Sequence, residues 1–218
     1  MKERPILFSA PMVRAIIDGR KTQTRRIVKP QESIHGPCDD GNLYWIPAAM
    51  QGDPDPNCKT VLAVNKCPYG IPGDRLWVRE THGFGWHDGV GGYSALRPSG
   101  KQHDRPDRVF YKADYPDDDE KHGKRCWRPS IHMPRWASRI TLEVVDVRVQ
   151  RLQDITEHDA EREGAATCDH FADAKRGHPT QPHETSFAWL WNKINGRDSW
   201  IANPWVWVVE FTRLEEST

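Results

Sequence analysis

Lys21 and Thr24 stand in the stretch GRKTQTRR, Gly19 to Arg26, with Arg20, Arg25 and Arg26 around them. A threonine hydroxyl is a weak nucleophile until a neighbouring base takes its proton. A lysine, with a reference pKa of about 10.4, does so only when burial or nearby cations lower it. The arginines supply the cations. The same guanidinium forks also suit phosphate, through charge-assisted hydrogen bonds. The stretch is therefore a solvated basic turn, a phosphate-binding surface, or the wall of a catalytic pocket in which Lys21 activates Thr24.

The elements around it decide what it can reach. Ser9 can cap a helix beginning at Pro11, where a missing N–H costs nothing, and Met12, Ala15 and Ile16 recur at helical spacing up to a left-handed stop at Gly19. Thr22 to Val28 then reads as a loop running into a strand. From Pro30 to Pro72, Gly, Pro, Asp and Asn dominate, with short strands expected only at Leu43 to Ile46 and Val61 to Val64. Pro72 and Gly73 turn the chain into a strand, Arg75 to Thr81, that sets Leu76, Val78 and Glu80 on one face. Glu80 would point inward and pair with Lys21 or Arg26, as a structural ion pair or as a catalytic group. Arg79 and Glu80 join Arg20, Thr22, Arg25 and Arg26 as residues expected to touch substrate or RNA.

Gly83 to Asp107 has no periodic face and reads as a mobile excursion, followed by a short strand over Val109 to Lys112. Arg139 to Val149 is the strongest strand signal, apolar on both faces. Thr156 caps a short helix in TEHDAEREG, with Asp159 in the capping-box position and Gly164 as its stop. Glu184 to Ile194 reads as a helix with Phe187, Leu190, Trp191 and Ile194 on one stripe. Pro204 to Phe211 closes as a strand with Trp205, Trp207, Val209 and Phe211 on one face. Many short strands and few helices predict a mainly β fold with flanking helices (α+β), a small barrel, in a single domain over 1–218 with irregular insertions at about 30–72 and 83–135.

Lys and Arg total 31 against 31 Asp and Glu, so any nucleic-acid contact must come from a local patch and not from overall charge. No window approaches the run of about 18 apolar residues that a membrane span needs, and the first residues lack a secretory h-region, so no membrane contact and a cytoplasmic location are expected. Cys38, Cys58, Cys67, Cys126 and Cys168 are too scattered for a disulfide scaffold. The first three also lack the spacing of zinc knuckles, so no metal or other cofactor is expected, a site completed by Cys126 or His132 being the alternative. His82 and His87 read as surface residues. Lys124, Arg125, Arg128 and Arg135, interleaved with Trp127 and Trp136, read as a stacking nucleic-acid surface or an ordinary barrel edge.

PILFSAPMVRAIIDGRKTQTRR, then PGDRLWVRET and, after a strand, DITEHDAEREG, resemble the ASCH family, of the phage or prophage type. Gly19, Lys21, Thr22 and Arg26 meet its G-x-K-T-x-x-x-R signature. The resemblance covers Pro5 to Val28, Gly73 to Thr81 and Arg139 to Phe211. It implies a PUA-like β-barrel, a modified nucleoside or single-stranded RNA as partner, and a site like that of the family's 4-acetylcytidine amidohydrolase. Matched by motif, that site places the catalytic lysine and threonine on Lys21 and Thr24. It places a glutamate on Glu163, which a slip of one turn would move to Glu157 or Asp159. Lys21 would then take the proton of Thr24, whose oxygen attacks the acetyl carbonyl, while Glu163 orients Lys21 or relays a proton. The family also includes RNA binders and a metal-assisted ribonuclease, so acetyl-amide hydrolysis, non-catalytic binding and RNA cleavage all remain open.

Overall fold

Ile6 is the one side chain of the first strand, β1 (Glu3–Leu7), that turns fully inward, and the chain passes from it at once into helix α1 (Ala10–Ile17). The computed structural model describes residues 1–35, 43–45, 61–87, 93–94, 106, 108–115, 127–165 and 183–215. In chain order the remaining elements are β2 (Gln23–Ile27), β3 (Ile34–His35), β4 (Tyr44–Trp45), β5 (Val61–Leu62), β6 (Arg75–Arg79), β7 (His82–His87), β8 (Tyr93–Ser94) and β9 (Arg108–Tyr111). They are followed by β10 (Thr141–Arg151), α2 (Glu157–Arg162), α3 (His183–Asn195) and β11 (Trp205–Leu214). Among the described residues no helix is long and apolar enough to cross a membrane.

Helix α1 follows its sequence signals closely. Pro11 sits in its first turn, Ser9 takes the extended N-cap conformation without a side-chain cap bond, and Gly19 follows the helix at φ +74°. Val13, Ala15 and Ile16 are buried. In α2 the Thr156 hydroxyl accepts from the Asp159 N–H at 3.1 Å, and Gly164 lies past the helix at φ +75°.

The main sheet has five strands in the order β1-β6-β10-β11-β2, with β1 and β6 parallel and the other pairs antiparallel. One face buries Ile6, Val78, Leu142, Val144, Trp207 and Phe211 against Val13 and Ile16 of α1. On the other face of β11, Val206 and Val208 pack with Ala160 of α2 and with Phe187 and Trp191 of α3. Complete burial of side chains of this size contributes about 1.5–3 kcal/mol each, which explains why β11 is apolar on both sides. In β10 the alternation expected through Val145 is broken by a bulge between Val144 and Asp146. The bulge exposes Val145 and returns Val147 to the buried face.

The expected PUA-like barrel is not formed: the sheet is mixed and open. Its edge strands, β1 and β2, share no ladder; the guanidinium of Arg26 donates to Leu7 O at 2.6 Å across the gap between them. Closure needs every strand paired on both sides. Here β1 has its neighbour only in β6, β2 has its neighbour only in β11, and the segments after β2 pair among themselves.

Within the expected insertions, β3, β4 and β5 form one three-stranded sheet and β8, β7 and β9 another. The start of the glycine-rich excursion is thus a strand, because its glycines sit opposite Phe110 and Arg108 of β9, where ladder bonds replace apolar anchors. Trp45 of β4 stacks on Trp207 at 6.3 Å and ties the first of these sheets to the main core. Cys38, Cys58, Cys126, Cys168, Lys124 and Arg125, and the side chains of Trp86 and His87, lie outside the described residues.

Candidate functional site

The stop after α1 aims the following residues across the molecule. Lys21 N donates to Ala15 O, Thr22 N donates to Arg162 O, and Lys21 forms an isolated antiparallel bridge with Glu163. Gly164 suits this crossing: its φ is +75°, and a Cβ there would lie 3.0 Å from Ala15 Cβ and 3.1 Å from Lys21 Cβ, so those neighbours would have to give way.

Lys21 and Glu163 are both buried. Lys21 Nζ donates to Glu163 Oε2 at 2.8 Å, to Glu163 O at 2.7 Å and to Gln23 O at 2.8 Å, which uses all of an ammonium's hydrogens. Burial pushes the Lys21 pKa below its ordinary value, with Arg26 and Arg25 adding to the shift and Glu163 opposing it. The Phe8 ring lies 5.7 Å from Lys21 Nζ and 5.3 Å from the Arg26 guanidinium.

Glu163 is shared. Its Oε1 accepts from Arg25 at 3.2 Å, and Arg25 reaches Asp159 at 3.0 Å. Asp159 accepts from Arg148 at 3.3 Å, Arg148 contacts Glu210, and Glu210 accepts from Arg162 at 2.6 Å. Charges of alternating sign thus run from Lys21 to the partly exposed Arg148 and Arg162. Burial alone would raise the Asp159 carboxyl, but the charges of Arg25 and Arg148 and a Gln23 hydrogen bond hold it below the usual carboxylate range. Burial likewise works against the lowered pKa of Glu210, where hydrogen bonds from Arg162 and Arg148 win.

A cavity of about 810 Å³ opens beside this floor. Leu7, Phe8 and Ser9, where β1 ends, face it from one side, and Thr24, Arg25 and Arg26 of β2 from the other, so it lies at the gap that strand pairing leaves unclosed. Lys21, Glu163 and Thr24 all line it, and the Thr24 residue is buried.

Of the residues expected to touch substrate or RNA, Arg25 and Arg26 line this cavity and the others do not. Arg20 is exposed and pairs with Asp18. The Thr22 hydroxyl accepts from Arg162 at 3.2 Å. Arg79 donates to Ile131 O and lies over Trp77. Glu80 pairs with Arg139 at 3.0 Å, not with Lys21 or Arg26, because Arg139 leads into β10 beside the end of β6. Burial raises the Glu80 pKa against that arginine's pull. Of the alternatives for the glutamate, Asp159 faces Arg25 and Arg148, while Glu157 accepts from the His183 and Glu184 N–H groups at the start of α3.

His82, read from sequence as a surface residue, is buried: Nδ1 lies 3.2 Å from Glu80 O, and burial lowers its pKa. Cys67 is a free, buried thiol pushed up to about 11 by burial. No group of three or more His, Cys, Asp or Glu among the described residues is arranged to hold a metal ion. Arg128 lies over Phe84, which stacks on Trp136, and Lys112 lies over Trp127, so part of the expected stacking surface is occupied by the protein's own cations.

Sequence reasoning missed Tyr69, Trp191, Lys29 and Lys66 as cavity residues, and Arg148 and Glu210 as partners in the charge chain. Arg148 and Glu210 come together only through the diagonal register of β10 on β11. One signal was available: Asp159 lies one helical turn before Glu163, so an arginine fork that reaches one carboxylate can reach the other.

The open mixed sheet removes the basis for the PUA-like barrel, and no likeness carries the ASCH, hydrolase or phage labels. No family model, no curated protein and no solved structure matches this chain.

Proposed function

We propose that the cavity recognises a nucleobase, presented by a modified nucleoside or by single-stranded RNA. The observation that carries this reading is a polar floor of Lys21, Thr24, Arg25 and Glu163 set among Phe8, Trp45, Tyr69, Phe187, Trp191 and Trp207 in one cavity. Its volume of about 810 Å³ holds a base with its ribose. Aromatic walls offer stacking worth about 1–3 kcal/mol per base, and fixed polar groups give orientation.

A second reading, cleavage of the acetyl amide of 4-acetylcytidine, rests on Thr24, Lys21 and Glu163 lining the same cavity. In that chemistry Thr24 Oγ1 bonds to the acetyl carbon and its proton passes to Lys21. The C–N bond then breaks as the exocyclic amine leaves with a proton, and water releases acetate from Thr24. Lys21 must first lose a proton and one of its hydrogen bonds. Its lowered pKa assists the first of these requirements.

Titration with cytidine, 4-acetylcytidine and short single-stranded RNA at two salt concentrations tests the main reading. Saturable binding weakened in Tyr69→Ala and Thr24→Ala supports it, and no binding to any of the three at low salt overturns it. Acetate release measured in the same samples, with and without chelator, tests the second. Release that persists in Thr24→Ala eliminates that nucleophile, and chelator-sensitive RNA cleavage moves the reading to a nuclease.

A further inference from the structure

The cations of the cavity divide into two groups. Lys21 and Arg25, on the floor, are matched by Glu163 and Asp159. Arg26, Lys29 and Lys66 also line the cavity, and none of them has a carboxylate within ion-pair distance among the described residues. Lys29 and Lys66 are exposed, while Arg26 is half-buried. Arg26 spends one terminal nitrogen on Leu7 O, and its Nε is buried without an acceptor. Arg26 also bears on the Tyr69 hydroxyl, whose pKa burial raises and Arg26 pulls back, so its charge is felt along the wall that leads from Lys66.

We infer that this rim is a phosphate site, and that the ligand is a nucleotide or a phosphorylated strand end and not a neutral nucleoside. The inference rests on the base-binding reading and adds the charged half of the ligand. Three like charges from two separated segments, Arg26 and Lys29 at and just beyond the end of β2 and Lys66 in the turn before Tyr69, line one cavity. A phosphate of charge about −1.5 to −2 would accept from ammonium and guanidinium donors together. Glu163 is the only carboxylate that lines the cavity among the described residues, and both of its oxygens are engaged on the floor, so it does not oppose an anion at the rim. The aromatic interior argues for a base attached to that phosphate over an acidic peptide.

The test measures affinities for cytidine, cytidine 5′-monophosphate, a 5′-phosphorylated trinucleotide and inorganic phosphate, with the native chain and with Lys29→Glu/Lys66→Glu. Because both substitutions lie on exposed side chains, Lys29→Gln/Lys66→Gln serves as a milder check on folding. The expected result is a monophosphate bound about tenfold or more tighter than cytidine at low salt, a ratio that falls toward one in the charge-reversed protein and in high salt. The trinucleotide separates a free nucleotide from a strand end: tighter binding than the monophosphate assigns the strand end, and equal or weaker binding the free nucleotide. Equal affinity for cytidine and its monophosphate overturns the phosphate site and leaves base recognition standing. Phosphate binding lost in the charge-reversed protein, with no cytidine binding by the native one, keeps the rim and removes base recognition.

Discussion

Lys21 Nζ and Glu163 Oε2 lie 2.8 Å apart across 142 residues of sequence, with side-chain exposures of 2% and 4%. The contact joins the end of the first helix to the end of the second. It also sets a buried ammonium beside a carboxylate that a second cation, Arg25, shares.

Removing Glu163 therefore strands two cations. Glu163→Ala is expected to lower stability by about 3–5 kcal/mol in urea unfolding, since Lys21 and Arg25 both lose a buried partner. Lys21→Met combined with Glu163→Leu recovers part of that loss, because Arg25 keeps Asp159. A single-substitution cost within experimental error of zero contradicts the shared ion pair.

The Lys21 shift has a defined sign in stability. Its folded pKa lies below the ordinary 10.5, so between the two values the unfolded chain binds more protons and stability rises with pH. The stability of the native chain relative to Lys21→Met should improve as pH climbs toward 10.5. A difference that is flat or falls over that range refutes the depressed value.

At the acid end the slope has the same sign, because the folded values are again depressed. Asp159 and Glu210 have folded pKa values below their ordinary 3.8 and 4.5, so they contribute stability above those values that is lost as pH falls through the depressed ones. Glu210→Gln should flatten the acid limb of a urea-midpoint profile measured from about pH 5 to about pH 2. An unchanged limb places the acid loss in other carboxylates.

Gly19 and Gly164 end their helices at nearly the same angle, φ +74° and +75°, yet should respond differently to alanine. At Gly19 a Cβ meets nothing within 4 Å, so only left-handed strain of about 1–2 kcal/mol applies. At Gly164 the Cβ presses on Ala15 and Lys21, adding about 1–3 kcal/mol of overpacking. Thermal unfolding of the two variants measures the gap, and equal losses argue against the tight crossing.

Trp191 Nε1 is buried without an acceptor, so Trp191→Phe removes a donor that the protein itself does not use. Stability should change by less than about 1.5 kcal/mol, because the smaller ring offsets part of the relief. Affinity for cytidine should fall by no more than about threefold, because the N–H is closed off from the cavity and phenylalanine keeps an aromatic wall. A fall of about tenfold or more shows that the indole N–H opens to meet the ligand.

Local signals in the chain were enough to place the helix after Ser9, its stop at Gly19, the cap at Thr156 and the long strands of the C-terminal half, because each depends on neighbours a few residues away. They also singled out Lys21 and Thr24, while Glu163 came only from the motif resemblance; the folded chain brings all three to one cavity. Whether the sheet closes was not legible, since that depends on which edges find partners, and β1 and β2 share no ladder, with Arg26 reaching Leu7 O across the gap. The same limit hid the destination of Glu80. Its inward face was predictable from alternation, but the cation that meets it was decided by the pairing of β6 with β10. Arg148 and Glu210 are further cases. Opposite charges attract over a few ångströms, and only the register of paired strands determines which charges come that close.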